Sequence, residues 1–209
     1  MRREDAGLST INEGEPDSRA ELRHRVVNLI QLLSTATRMR VQRAQDEETR
    51  RQLAWTLEMI GAVGVLQQRL TGDNGDDFAG FLEDMLPQWS RRCTGRPITL
   101  ELSAEPVRLR EQALSALALV AHELVANALS HAFPDGRQGL VRVSLRRLDE
   151  ANAVFSVVDD GCGYDSATVG KSTLGLWLMK GLTAQIRGRM TTTQAHGVSV
   201  ELEFPAPPL

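Results

Sequence analysis

The sequence predicts an α+β fold in which an N-terminal antiparallel helical hairpin precedes a larger domain that mixes helices with short strands. Three observations predict it. Before residue 70, two long runs repeat apolar residues at alternating steps of four and three, the seam of helices that pack on one another. A Gly-, Asp- and Asn-rich tract from Thr71 to Asp77 then breaks the pattern. Beyond it, strand-like stretches at 98–102, 140–148 and 151–158 surround one helix-forming run, 114–131, rich in Ala and Leu and free of Gly and Pro.

Length and composition bound the answer. With 209 residues, 42% of them hydrophobic and 24% charged, the chain can build one moderate core and a smaller module. We divide it into a tail at 1–17, the hairpin at 18–72 and a second domain at 73–209. A formal net charge of −3 gives no electrostatic case for nucleic acid or an anionic membrane. No stretch matches the apolar run of a membrane span, and the N-terminus lacks the apolar core of a signal peptide. Cys93 and Cys162 offer neither metal-ligand spacing nor a disulfide framework, so a reduced, cytoplasmic protein is expected.

Residues Met1 to Pro16 mix charge, Gly and Pro without periodicity and read as a tail. Asp17 or Ser18 is placed to cap the first helix, with Glu21 set for a capping box behind Ser18. That helix runs to about Ala44, with Leu22, Val26, Leu29, Leu33 and Ala36 on its seam. His24 lies about 200° around the helix from both Leu22 and Val26, on an outward face shared with Glu21, Asn28 and Gln31. A histidine so placed is ordinarily just solvated. It is also an accessible imidazole, partly neutral near pH 7 and competent as a nitrogen nucleophile. Gln45 to Glu48 makes the turn, and a second helix to Leu70 carries Leu53, Leu57, Ile60, Val63, Leu66 and Leu70. Two antiparallel helices bury too little to stand alone, so a dimeric four-helix bundle is the expected completion.

In the second domain, 78–92 reads as a helix with Phe81, Leu82, Met85, Leu86 and Trp89 on one face. Within 114–131, Glu123, Asn127, Ser130 and His131 share one arc at about 100° per residue, bordered by Leu114, Leu117, Leu124, Val125 and Ala128. The plain reading is a core helix with a wet edge. The strand 151–158 leads into Asp159-Asp160-Gly161-Cys162-Gly163. An acidic residue at a strand end, with glycines two and four positions on, lets the backbone pass close to a flat ligand while the carboxylate accepts from an exocyclic amine. Asp-x-Gly-x-Gly also describes an ordinary turn. Lys171-Ser172-Thr173-Leu174-Gly175-Leu176 then opens a helix over 177–186, and its N–H groups and helix dipole suit phosphate.

In this order the segments resemble a known family. Glu123 to His131, Glu-Leu-Val-Ala-Asn-Ala-Leu-Ser-His, resembles the N box of the GHKL ATP-binding fold. Asp159 to Gly163 resembles its G1 box, Leu174-Gly175-Leu176 its G2 box, and Gly197 to Leu202 its closing strand. Upstream, Glu21 to Asn28 resembles the phosphoacceptor helix of those two-component sensor histidine kinases whose helix carries His-Arg-Val-x-Asn. Val27 and Leu29 stand where that subfamily usually has Lys and a second Asn.

The resemblance implies a two-layer α/β sandwich of the GHKL ATPase type, a mixed sheet covered by helices on one side, with ATP between the helices and a lid at 164–173. By it His24 is the phosphoacceptor, while Glu21 and Asn28 orient the imidazole or take its proton. Arg25 serves either as a salt-bridge residue or at the phosphate. Asp159 accepts from the adenine amine, Gly161 and Gly163 let the backbone approach the nucleotide, and Asn127 ligates Mg2+. Glu123 holds a water or a metal-bound ligand, His131 lies near the phosphates, and Gly175 with Ser172 and Thr173 closes on the triphosphate. Ser130 stands where the N box commonly has Lys, and Lys171, Lys180 and Arg187 are the candidates to replace that cation.

The implied function is an ATP-dependent protein histidine kinase, with ATP and Mg2+, that autophosphorylates His24 and passes the group to an aspartate of a response-regulator receiver domain. A homodimer through the hairpin is expected, as is a signal arriving through the bundle or from a separate sensor protein, since the tail is too short to fold alone. Nucleic acid and membrane are not expected as partners. The alternative is a histidine phosphotransfer adaptor whose ATP site no longer works. Ser130 and the short lid favour it, while Asn127, Asp159, Gly161, Gly163 and Gly175 argue against it. A third reading, an anti-sigma-factor-type serine kinase of the same fold, needs no hairpin with an outward His24.

Overall fold

The computed structural model describes residues 15–72, 75–163 and 174–208, apart from the side chains of residues 15–20 and 23. Helix α1 (Glu15–Arg43) starts ahead of its expected position, so Asp17 and Ser18 fall inside its first turns instead of capping it. Pro16 explains the early start: near a helix N-terminus its fixed φ is already helical and its missing N–H would have had no partner. Asp46 caps α2 (Glu47–Leu70), its carboxylate accepting from the Thr49 N–H at 2.7 Å.

The face on which α1 meets α2 is not the one its periodicity predicts. Val26, Val27, Ile30, Ser34, Thr37 and Val41 are the half-buried positions, Val26 alone of them from the expected seam, and a Cβ added at Gly64 would sit 3.5 Å from Ile30 Cγ2. The expected seam residues Leu22, Leu29 and Leu33 are instead 61%, 59% and 55% exposed. Helix α1 carries two apolar stripes, and periodicity does not say which of them finds α2. Helix α2 in turn buries Met59, Ala62 and Leu66, of which only Leu66 was expected, because it packs on α3 and α4 as well as on α1.

The tract expected as a linker is fastened where it is described. The Phe78 N–H donates to the Val107 carbonyl at 2.9 Å and the Leu109 N–H to the Asp76 carbonyl at 2.8 Å. Asp77 Oδ1 caps α3 (Phe78–Cys93) through the Ala79 N–H at 3.2 Å and also accepts from the Val107 N–H at 3.0 Å. Arg69, at the end of α2, reaches the Asp77 carbonyl at 3.0 Å and Asp84 at 2.7 Å.

Five strands form one mixed sheet: β1 (Ile98–Ala104), β2 (Gly139–Arg147), β3 (Asn152–Asp159), β4 (Arg189–Ala195) and β5 (Gly197–Pro205), in the order β1-β2-β3-β5-β4. The β1–β2 pair is parallel and the others antiparallel. Strand β4 has no counterpart in the sequence reading. It is an edge strand of largely exposed Thr and Gln, so it lacks the apolar alternation that marks a half-buried strand. Alternate residues of the inner strands, Val143, Leu145, Phe155, Val157, Leu202 and Phe204 among them, are buried in one core with α3, α4 (Glu111–His131) and α5 (Leu174–Gln185). The other sheet face is polar, with the Ser144 and Ser156 hydroxyls 2.7 Å apart and Arg142 paired to Glu101. This is the two-layer arrangement.

Helix α4 is the centre of that core. Among the described helices it is the one long and apolar enough to cross a membrane by composition, contrary to the expectation that no such stretch exists. Its apolar surface is covered by the protein instead: Leu114, Leu117, Val120, Ala121, Val125 and Leu129 are fully buried. His122, 1% exposed, accepts the Trp89 indole N–H on Nδ1 at 3.2 Å, while its Nε2 has no partner in the structure.

Burial, helped by the nearby Arg92 charge, lowers the His122 pKa from 6.5 to about 4. The folded chain therefore binds this proton less well than the unfolded chain. The stability linked to neutral His122 is whole above pH 6.5 and is lost as the pH falls through about 4, a loss of up to about 3 kcal/mol. Urea unfolding at a series of pH values checks this: His122→Gln should flatten the acid side of the stability profile, and slopes equal to wild type would exonerate His122.

Candidate functional site

The polar arc of α4 is graded in depth. Glu123 is 4% exposed, Asn127 is half-buried, and Ser130 and His131 reach the surface. Each Glu123 oxygen has its own donor: Oε2 accepts the Trp55 indole N–H from α2 at 2.6 Å, and Oε1 accepts the Asn127 side-chain N–H at 3.2 Å. Gly175, in the first turn of α5, lies against the same carboxylate, and any Cβ there would overlap Oε1. Asn127 spends a donor on Glu123, so its amide oxygen is the group left to face a ligand or a hard cation. Among the described residues no three His, Cys, Asp or Glu side chains cluster as a metal cage.

Asp159 forms the second part of the site. It ends β3, opposite Val141 on one side and Val198 on the other. Its Oδ1 accepts from the Gly161 N–H at 2.9 Å and the Val198 N–H at 3.3 Å, and burial raises its carboxyl pKa above the usual aspartate value. The neighbouring Asp160 is exposed and serves the sheet edge, its Oδ1 accepting from the Leu140 N–H at 2.8 Å. Two close approaches hold the turn. Gly161 lies on Ala132 at the end of α4, where the Cys162 N–H bonds the Ala132 carbonyl at 2.9 Å. Gly197, at φ 104°, lets β5 pass the Asp159 carbonyl where a side chain would collide. The G1-like turn and the end of the N-box-like helix thus share one surface, and Gln194 of the unforeseen β4 adjoins Gly163 there.

The hairpin residues stand apart from this surface. His24, Glu21, Arg25 and Asn28 are all exposed on α1, and no described hydrogen bond or ion pair links α1 to α4, α5 or the Asp159 turn. Glu21 is engaged by Arg25 at 2.5 Å, a solvated i,i+4 ion pair. Ser172 and Thr173, the rest of the lid at 164–173 and Lys171 lie outside the described residues.

Lys180 and Arg187 are exposed, and neither bonds the polar arc of α4. Among the described residues the cation that does is Arg92, at the end of α3, which donates to the Ser130 hydroxyl and to Glu58 of α2 at 2.6 Å. Trp55, Glu58 and Arg92 were absent from the sequence reading. Trp55 and Glu58 lie three residues apart among apolar neighbours, so they share a helix face, but that spacing does not name the surface they meet.

Comparison with known proteins follows the same division. The histidine kinase-like ATPase domain family matches residues 95–203, just over half of the chain, and a histidine kinase family matches residues 21–91. The sensor histidine kinase PdtaS of Mycobacterium tuberculosis is 28% identical over 195 residues, covering 88% of this chain; the chain spans 38% of that relative's length. The histidine kinase domain of the Erythrobacter litoralis EL346 blue-light activated histidine kinase matches with a TM-score of 0.68 at 19% identity, over 86% of this chain and 94% of that one. The histidine kinase AdeS of Acinetobacter baumannii matches with a TM-score of 0.54 at 16% identity, over 88% and 98%. At these identities the structural likenesses establish the fold: the helical region followed by a GHKL-type sandwich.

The Glu123 geometry generates a stability test. Trp55→Phe keeps an aromatic ring but removes the N–H, leaving a buried carboxylate with one donor fewer, a loss of about 1–3 kcal/mol. Urea denaturation of the two proteins should show it. Equal midpoints would mean that water replaces the indole without cost.

Proposed function

The chain belongs to the histidine kinase family, and on that footing we propose that it is an ATP-dependent protein kinase that phosphorylates its own His24 and passes the group to an aspartate of a response-regulator receiver domain. The observation that carries this reading is that the buried Asp159 turn packs on the C-terminal end of α4, the helix that carries the Glu123–Asn127 pair. Asp159 Oδ1 is committed to two backbone N–H groups, and the other oxygen is the natural acceptor for the exocyclic amine of adenine. Mg2+, when bound, would neutralise phosphate oxygens. Asn127 is the residue that would hold it, and Glu123 would fix the Asn127 amide.

Phosphoryl transfer asks the protein mainly for positioning. A neutral His24 nitrogen attacks the γ-phosphorus, the N–P bond forms, and the bond to ADP breaks with its electron pair leaving on ADP. The ring then releases its remaining N–H proton to solvent, since Glu21 is already engaged by Arg25. His24 and the nucleotide surface sit on separate elements, so this reading requires the α4 domain to swing toward α1 or to serve a second copy of the chain. A second copy is also what the unpaired stripe of α1 fits. Leu22, Leu29, Leu32 and Leu33 are more than half exposed on one helix, an apolar strip suited to a homodimeric four-helix bundle. Free thiols at Cys93 and Cys162 accord with a cytoplasmic protein.

Two measurements test the reading. With γ-labelled ATP and Mg2+, the wild type should gain acid-labile phosphate, and both His24→Ala and Asn127→Ala should abolish it. Label that survives His24→Ala would move the acceptor elsewhere. A wild type that takes no label and binds no ATP, yet accepts phosphate from a phosphorylated receiver, would make the protein a phosphotransfer adaptor. Sedimentation of a Leu29→Asp, Leu33→Asp double variant should show a monomer where the wild type is a dimer, and an unchanged mass would remove the α1 stripe from the interface.

A further inference from the structure

We infer that Arg92 is the cation that holds the phosphate chain of the bound nucleotide beside Asn127. The inference rests on the ATP-site reading above and adds to it a residue from α3, outside all three nucleotide-binding segments. A nucleoside triphosphate is a polyanion, and among the described residues the buried part of the surface that would receive it is acidic. Glu123 and Asp159 are buried carboxylates there, and the donors around Glu123 are an indole and an amide rather than a cation. A polyanion set on such a surface must be met by positive charge.

Arg92 is, among the described residues, the cation whose side chain bonds the polar arc of α4. One terminal nitrogen donates to the Ser130 hydroxyl, three residues along the arc from Asn127. The other donates to Glu58 at 2.6 Å, which fixes the plane of the fork. Two of its five N–H groups are spent in this way, and a guanidinium is suited to bidentate contact with phosphate through those that remain. Its side chain is 28% exposed, so it is anchored at the surface and still open to a ligand. Ser130 is short, and that is what admits the guanidinium; a long side chain at 130 would occupy the same place. Arg137, by contrast, stacks on Phe133 and bonds the Asp160 carbonyl.

The test uses the full chain. Affinity for a non-hydrolysable ATP analogue with Mg2+ is measured by calorimetry, and affinity for AMP by ligand-observed NMR. Arg92→Ala should weaken the triphosphate roughly tenfold or more while AMP binding stays as it was, because only the contact to the outer phosphates is lost. Ser130→Lys on the Arg92→Ala background should restore most of the difference. Arg142→Ala, which removes an exposed cation paired to Glu101 on the other face of the sheet, should leave both affinities as they were. Unchanged triphosphate affinity in Arg92→Ala, equal losses for ATP analogue and AMP, or the same loss from Arg142→Ala would each overturn the assignment. A wild type that binds neither nucleotide sinks the ATP-site reading itself, and the assignment with it.

Discussion

Glu123 carries a carboxylate into the helix at the centre of the core, and a charge in that position must be met by donors from wherever they can be brought. Its two oxygens take an indole N–H from α2 and an amide N–H from its own helix, while a glycine of α5 closes over it. Three elements far apart in sequence are therefore placed with respect to one side chain. The apolar remainder of α4 then settles the rest of the domain, because a helix buried on so many sides needs a sheet on one flank and helices on the others.

The hairpin answers to the same constraint. Helix α2 lies against α1 on one side and against α3 and α4 on the other. Trp55 and Glu58 are its polar contributions to the second contact: one bonds Glu123, and the other holds the arginine that reaches Ser130. With α2 so occupied, α1 is left with an apolar stripe that none of the described residues covers. Any change in how α2 sits on α4 is felt directly at Glu123, and through it at Asn127.

Charge organises the nucleotide surface as much as shape does. Asp159 is buried, and burial makes it retain its proton more readily than a free aspartate even though two backbone N–H groups on one oxygen pull the other way. Asp160, next in the chain, is solvated and spends its carboxylate on the backbone of β2. Two adjacent residues of the same type thus differ in role because one side chain points into the core face of the sheet and the other out of it.

Much of this was legible residue by residue. The period of α4, the polar arc from Glu123 to His131, the strand ending on Asp159, the hairpin and its outward His24 all follow from spacing within one element, where geometry is local. The inner face of α1 was misassigned because it has two apolar stripes and the choice between them belongs to α2. Strand β4 was missed because an edge strand of threonines has no buried face to leave a pattern. Trp55, Glu58 and Arg92 were invisible as parts of the site for the same kind of reason: a side chain's type and phase give the direction in which it points, and what waits there depends on how separate helices stack. Local order is written in the period of one segment. The partners across α2, α3 and α4 came from packing, because contact between distant segments depends on the surfaces of both.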